Sequence, residues 1–222
     1  MRVFVILPAA GIGTRMAAVT GTPTPKQFLS LAGVPVLVHS LRAFLSVPRV
    51  DAIYVAVQKR EIERVREQLN EFQLGSRVRV VEGGDVRQQS VSNALEQLAA
   101  ETGCGETDIV LVHDAARPLI DAATIERTID AIAEHGAAIV GMPAVDTIKQ
   151  VDRTAQGAII TATIPRERIV HAQTPRAPAV VCCSAPSLRP QLMALPELTK
   201  PACWSALGLR SRSWPAQRIT SR

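Results

Sequence analysis

No run in this 222-residue chain approaches the roughly 20 consecutive apolar residues that span a bilayer. The N-terminus offers one Arg, a short strand-like run and then glycines, so no secretory leader is expected. Cys104, Cys182, Cys183 and Cys203 show no Cys-x-x-Cys pair, which argues against a zinc site and for a reduced, cytoplasmic setting. Two common nucleotide motifs are missing. The dinucleotide fingerprint needs a third glycine where Met16 stands, and no Gly-Lys-Ser/Thr closes a P-loop. Aromatics are scarce, and the basic C-terminal region has only Trp204 and Trp214 for stacking, so no nucleic-acid partner is expected. There are no internal repeats.

An apolar content of 47% supports a globular chain with a substantial core, and one α/β domain is the default at this length. The net charge of +5 is unevenly placed. Residues 1–175 carry 18 basic and 19 acidic side chains, whereas 176–222 carry seven basic residues and only Glu197. The basic character therefore belongs to the last segment.

The opening is the richest stretch. Val3–Leu7 is an apolar, β-branched run suited to a buried strand. It ends at Pro8 and passes into Ala9, Ala10, Gly11 and Gly13, whose small side chains let a phosphate approach backbone N–H groups. Arg15 offers a planar fork of donors, and Lys26, in Pro25-Lys-Gln-Phe28, offers a compact charge. An ordinary βα turn with two solvated cations would read the same way if the glycines stood alone.

Strand and helix patterns then alternate. Strands are expected at Val3–Leu7, Ala52–Val57, Val78–Val81 and Ile109–His113. Helices are expected near Val36–Leu45, Arg60–Leu69, Gln88–Ala100 and Ala122–Glu134, the last capped by Asp121. This alternation predicts a mostly parallel sheet covered by helices, with ligands beyond the carboxyl ends of the strands. The glycine loop, Gly83-Gly84-Asp85 and Asp114 each follow a strand and so share that edge. From 138 to 173 the pattern changes to short strands with polar turns.

Two further clusters suit phosphate chemistry. In Gly83-Gly-Asp-Val-Arg-Gln-Gln-Ser90, the glycines admit a flat ligand and Ser90 is expected to open a helix, although a capped polar loop is the plainer reading. In His113-Asp-Ala-Ala-Arg117, Asp114 at a strand end is a natural Mg²⁺ ligand and Arg117 can hold a second phosphate. His113 reads as a packed or hydrogen-bonded residue.

With Pro8-Ala-Ala-Gly-x-Gly-x-Arg-Met16, Pro25-Lys-Gln27 and these clusters, the chain resembles the sugar-phosphate nucleotidyltransferases. Within them it is most similar to the 2-C-methyl-D-erythritol 4-phosphate cytidylyltransferase family, from residue 2 to about Pro175. The resemblance implies a single Rossmann-like sheet of the nucleotide-diphospho-sugar transferase type, with an extended β-arm at about 138–173 that exchanges between the subunits of a homodimer. It implies CTP and methylerythritol phosphate as substrates, Mg²⁺ as cofactor and no membrane partner. By match, Gly84, Asp85, Arg87, Ser90 and Ala115 join the CTP side, with Ser90 touching the base. Thr147, Arg166 and Thr174 join Arg117 on the acceptor side, partly across the dimer. The acceptor phosphate would attack the α-phosphate of CTP in line. Arg15, Lys26 and Mg²⁺ on Asp114 would offset the charge as pyrophosphate leaves.

Beyond Pro175 the resemblance stops. Residues 176–222 hold six prolines, Cys182-Cys183 and none of the family's closing motifs. Suitable synonymous codons for Leu195–Gly208, read from each third base, spell Thr-Gly-Thr-Asp-Glu-Ala-Ser-Met-Leu-Glu-Arg-Leu-Gly. The same shift over Leu209–Arg222 gives Ala-Val-Ala-Val-Val-Ala-Gly-Ser-Ala-His-His-Ile-Lys. Both strings resemble the missing segments, which predicts a frameshift near Pro175. The expected organisation is a catalytic domain at 1–175 and an aberrant, poorly ordered tail at 176–222. Two alternatives stay open: a cytidylyltransferase for another polyol phosphate such as ribitol 5-phosphate, and a nucleotide-binding protein impaired by its altered C-terminus.

Overall fold

The computed structural model describes residues 1–11, 25–105, 107–155, 157–178 and 214–215. Strand β1 (Val3–Pro8) lies centrally, parallel to β4 (Val50–Val57) on one side and β6 (Ile109–Val112) on the other. Beyond β4 runs β5 (Val78–Glu82), also parallel. Beyond β6 comes β10 (Val170–Pro178), antiparallel to both β6 and β7 (Ala137–Pro143). The strand order is β11-β7-β10-β6-β1-β4-β5, where β11 is the pair Trp214–Pro215, while β2 (Ser30–Leu31) and β3 (Val34–Pro35) form a small antiparallel pair of their own. This is the mostly parallel, helix-flanked sheet that the alternating pattern predicts.

The central strands are apolar throughout because both of their faces are covered. Successive residues point to opposite faces. Val3, Val5 and Leu7 of β1 pack with Leu37, Leu41 and Phe44 of α1 (Val36–Leu45) and Ile125, Ile129 and Ile132 of α4 (Ala122–His135). Val65 and Leu69 of α2 (Ile62–Glu71) join the same cluster. Phe4 and Ile6 face the other way, against Val91, Leu95 and Leu98 of α3 (Arg87–Thr102).

Local signals explain several boundaries. Asp121 caps α4 by accepting the Thr124 N–H at 2.6 Å, as its position before the apolar run predicts. Gly103 and Gly136 end α3 and α4 in the left-handed conformation. At the amino edge, Asp108 accepts from the Arg2 backbone N–H (2.8 Å) and from its guanidinium (2.6 and 3.1 Å), tying the start of β1 to the start of β6.

Three expectations need correction. Helix α3 begins at Arg87, because the chain turns helical directly after the glycine turn, so Ser90 lies inside its first turn rather than opening it. Strand β10 runs past 173, where the short-strand pattern was expected to end, on to Pro178, because pairing with β7 continues through Arg176, Ala177 and Pro178. Cys104 is disulfide-bonded, contrary to uniformly reduced thiols; spacing along the chain does not reveal which sulfurs a fold brings together. Cys182, Cys183 and Cys203 lie outside the described residues.

The arm region forms β8 (Ile148–Thr154) and β9 (Gly157–Ile164), a separate antiparallel two-stranded sheet. Nearly all of its described residues are exposed.

Candidate active site

A cavity of about 730 Å³ opens at the carboxyl edge of the sheet. Its walls come from four stretches far apart in sequence: Pro8–Gly11, Lys26 and Gln27, Gly84–Arg87 with Ser90, and Asp114–Arg117, with Arg176 added from β10. This is where parallel α/β sheets place ligands, and the volume suits a nucleotide-sized molecule.

The first wall is braced from behind. Gln27 is buried and donates from Nε2 to Ala9 O at 2.5 Å and to Gly11 O at 3.2 Å. Gln58 donates to Ala10 O at 3.0 Å. These bonds fix the carbonyls of the small-residue turn. They leave one expectation to correct: the Ala9 N–H donates to Ala56 O at 2.7 Å, so the sheet ladder engages it and it is not open to a phosphate. Gly13 and Arg15 lie outside the described residues.

Lys26 opens a short 3₁₀ turn, Lys26–Phe28. Phe28 is anchored in the core with the Arg64 guanidinium 4.4 Å above its ring. Gln27 also turns inward, so Lys26 is the member of the turn that remains exposed, on the cavity rim.

The Gly83–Ser90 segment is held by its own side chains. Ser90 is buried, and its hydroxyl accepts from Gly84 N–H at 3.1 Å while lying 3.3 Å from Gly84 O and Val86 O. Gln89 accepts from Asp85 N–H at 3.2 Å. Ser90 thus acts as a brace for the glycine turn, which refines the expectation that it touches a base. Gly83 allows this turn to close. A Cβ there would sit 2.7 Å from Ala10 Cβ and 3.0 Å from Ser90 Oγ, so no larger residue fits.

The third wall concentrates charge. Asp114 Oδ1 accepts from Arg87 Nε (3.1 Å) and Nη2 (3.0 Å), and Oδ2 accepts from Arg117 Nε at 3.0 Å. Burial pushes the Asp114 carboxyl upward, but Arg87 and Arg117 outweigh that and leave it below its ordinary value. The Asp114 N–H donates to Thr174 Oγ1 at 3.3 Å, and Arg117 Nη1 donates to Gln173 Oε1. Ala115 is buried, with its carbonyl taking the Ser40 hydroxyl at 2.8 Å. His113 is packed and hydrogen-bonded, its ring edge-on to Phe44 and its Nε2 3.0 Å from Arg117 O. Burial pushes its pKa down.

This arrangement does not fit Asp114 as a Mg²⁺ ligand. Both carboxylate oxygens take guanidinium N–H groups, and Arg176 adds further positive charge nearby. Among the described residues, no group of three or more metal-ligating side chains gathers anywhere. A divalent cation at Asp114 would have to displace two arginines.

Not every expected residue joins the cavity. Thr147 and Arg166 are exposed beside the β8–β9 hairpin, with Arg166 donating to Val145 O at 3.0 Å, and neither lines the pocket. Thr174 is buried and acts through Asp114. Gln27, Gln58 and Arg176 were not expected to shape the site. Gln27 was legible in Pro-Lys-Gln as an amide beside the lysine, whereas Gln58 and Arg176 carry no motif.

The family model for IspD, 2-C-methyl-D-erythritol 4-phosphate cytidylyltransferase, matches residues 3–185. A 2-C-methyl-D-erythritol 4-phosphate cytidylyltransferase of Acidobacterium capsulatum is 68% identical over 177 residues, covering 79% of this chain and 72% of that protein. One of Solibacter usitatus is 49% identical over 180 residues, covering 79% and 71%. Among solved structures, a 4-diphosphocytidyl-2C-methyl-D-erythritol synthase aligns with a TM-score of 0.72 at 27% identity, covering 99% of this chain and 93% of that one. The Francisella tularensis enzyme aligns with a TM-score of 0.70 at 25% identity, covering 100% and 95%.

Proposed function

The chain belongs to the 2-C-methyl-D-erythritol 4-phosphate cytidylyltransferase family, and we propose that the cavity at the carboxyl edge of its sheet is where it works. The reaction of the family transfers a cytidylyl group from CTP to 2-C-methyl-D-erythritol 4-phosphate and releases pyrophosphate, a step of non-mevalonate isoprenoid synthesis. The observation that carries the site assignment is convergence: four motif stretches, the first and last more than a hundred residues apart, line one cavity.

In this reading Ala10, Gly11 and Gly13 lie along the triphosphate, with Ala9 contributing its position rather than its N–H. Gly84, Asp85, Arg87, Ser90 and Ala115 bound the nucleoside side. Arg15 and Lys26 offset charge at the α-phosphate and on the leaving pyrophosphate, which is the main service a protein renders in phosphoryl transfer. No covalent enzyme intermediate is needed. Asp114 aligns two guanidinium groups; Mg²⁺ enters with CTP as part of the substrate. Arg117 and Thr174 bound the acceptor side. Thr147 and Arg166 complete it across a homodimer in which the hairpin is covered by a second copy. A cytoplasmic location belongs to the same proposal, a compartment in which the Cys104 bond would be reduced.

We further propose residues 1–175 as the catalytic domain and 176–222 as the product of a shifted frame. DNA sequence across codons 174–178 tests this, and an intact frame there removes the idea. The activity itself is tested by pyrophosphate release from CTP and Mg²⁺. Release with methylerythritol phosphate but not ribitol 5-phosphate is expected. Equal release with both would overturn the acceptor assignment.

A further inference from the structure

Three consecutive carbonyls of the first cavity wall are held by two side-chain amides. Gln27 takes Ala9 O and Gly11 O, and Gln58 takes the one between them, Ala10 O, at 3.0 Å. Gln58 belongs to none of the motif stretches. It directly follows β4, where its own carbonyl accepts the Glu61 N–H at 2.8 Å and the Val57 carbonyl before it accepts the Gly83 N–H at 2.7 Å. Its side chain is therefore presented from a fixed backbone.

The bond at Ala10 O sets the direction of an N–H. A trans peptide is planar, so its C=O and N–H point opposite ways. Among the described residues only Thr174–Pro175 is cis, so the Ala10–Gly11 peptide is trans. Gly11 lines the cavity and Gln58 does not. With Ala10 O drawn to Gln58, the Gly11 N–H is aimed away from Gln58 and toward the cavity. No described residue takes this N–H.

Little else holds the plane of this peptide. Apart from chain neighbours, no described atom lies within 4 Å of where a Gly11 Cβ would stand, so side-chain packing does not hold it. The Gly11 φ lies outside the left-handed region. Turning the peptide over would carry it into positive values, which glycine adopts freely and alanine resists. The overturned peptide would present a carbonyl oxygen, a partial negative charge, to an anionic ligand. Resting on the reading of Ala10 and Gly11 as the triphosphate wall, we infer that Gln58 is a positioning residue for CTP: it keeps the Gly11 N–H, and not the Ala10 carbonyl, facing the phosphates. Without that bond only a fraction of the chains hold the competent turn, and apparent affinity falls by that fraction.

Titration of the full chain with CTP and with cytidine tests this. Gln58→Met keeps the length and removes the donor. It should weaken CTP by about 3–10-fold, the worth of one amide–carbonyl bond, and cytidine by less than about twofold. Gln58 is partly exposed, so the melting temperature should hold. A second arm repeats Gln58→Met in a Gly11→Ala background, where the overturned peptide is strained. There the further loss of CTP affinity should shrink below about twofold, whereas a merely structural role costs the same in both backgrounds. Unchanged CTP binding in Gln58→Met overturns the inference, as does an equal loss for cytidine or an equal loss in the two backgrounds. If Gly11→Ala alone abolishes CTP binding, the comparison of CTP with cytidine decides; if Gln58→Met does not fold, Gln58→Ser takes its place. Failure of the parent reading looks different: the unaltered chain would bind CTP no tighter than cytidine.

Discussion

The cavity and the β8–β9 hairpin stand in opposite relation to the fold that carries them. The cavity is built from segments that the sheet draws together, and each wall is braced by a buried or half-buried side chain: Gln27, Ser90, Asp114, Thr174. The hairpin is one continuous stretch whose strands pair only with each other. It exposes Ile159 at 62% and Ile160 at 61%. An isolated two-stranded ribbon is marginal in water. The contrast teaches that the fold of one chain braces every wall of the cavity, whereas among the described residues the hairpin is held by its own pairing.

The strongest way to break this contrast is through Lys26. If the cavity is preformed, removing one cation from its rim should damage chemistry without damaging the fold. Lys26→Ala should lower kcat by roughly 10²–10³, the loss seen when one preorganised donor is removed, with an unchanged melting temperature. The side chain is exposed and its turn is anchored by Phe28, so the backbone has no reason to move. A folded variant with undiminished kcat would show that the cavity does not act through its rim.

A second experiment sharpens the sheet side. The Asp108 side chain is 5% exposed, and its carboxyl is held down to about 2, first by its hydrogen bond with Arg2, against an ordinary value of 3.8. Because the folded value is the lower one, the stabilisation is fully present above about pH 4 and is lost as pH falls through about 2. Arg2 is partly solvated, so screening reduces the contribution to about 1 kcal/mol. Asp108→Asn should cost about that much at pH 7 in urea unfolding, and the remaining stability should vary less with pH between 4 and 2. An acid profile identical to the parent's would discount the staple.

Most of the fold could be read from the sequence because period and boundary chemistry agree. Val36–Leu45 is a helix at its expected limits, and Asp121 caps the helix it precedes. The cavity-lining loops were legible for a related reason: small residues after an apolar strand have few other uses. What was hidden depends on contacts distant in sequence. Asp114 looks like a metal ligand until Arg87, 27 residues earlier, is found on its Oδ1. Ala9 looks like an open amide until β4 claims it through Ala56. Arg176 falls where motif similarity ends, so only its burial in β10 reveals it.

The smallest expected effect asks which face of the arm is covered. Ile159 and Ile160 are adjacent in β9 and therefore point to opposite faces. In the proposed homodimer, a second copy laid on the hairpin covers one face and leaves the other wet. Ile159→Lys and Ile160→Lys, made separately, should then differ. One should raise the dimer dissociation constant about tenfold, equivalent to about 1.4 kcal/mol and less than full burial of an isoleucine is worth, because the ribbon edge stays partly solvated. The other should match the unaltered chain. Sedimentation velocity over a dilution series reads both. The affected variant should also lose activity on dilution, since Thr147 and Arg166 sit beside the same hairpin and outside the cavity of their own chain. A chain that sediments as a monomer at micromolar concentration while retaining full turnover would break the comparison, because the cavity would then need nothing from the arm.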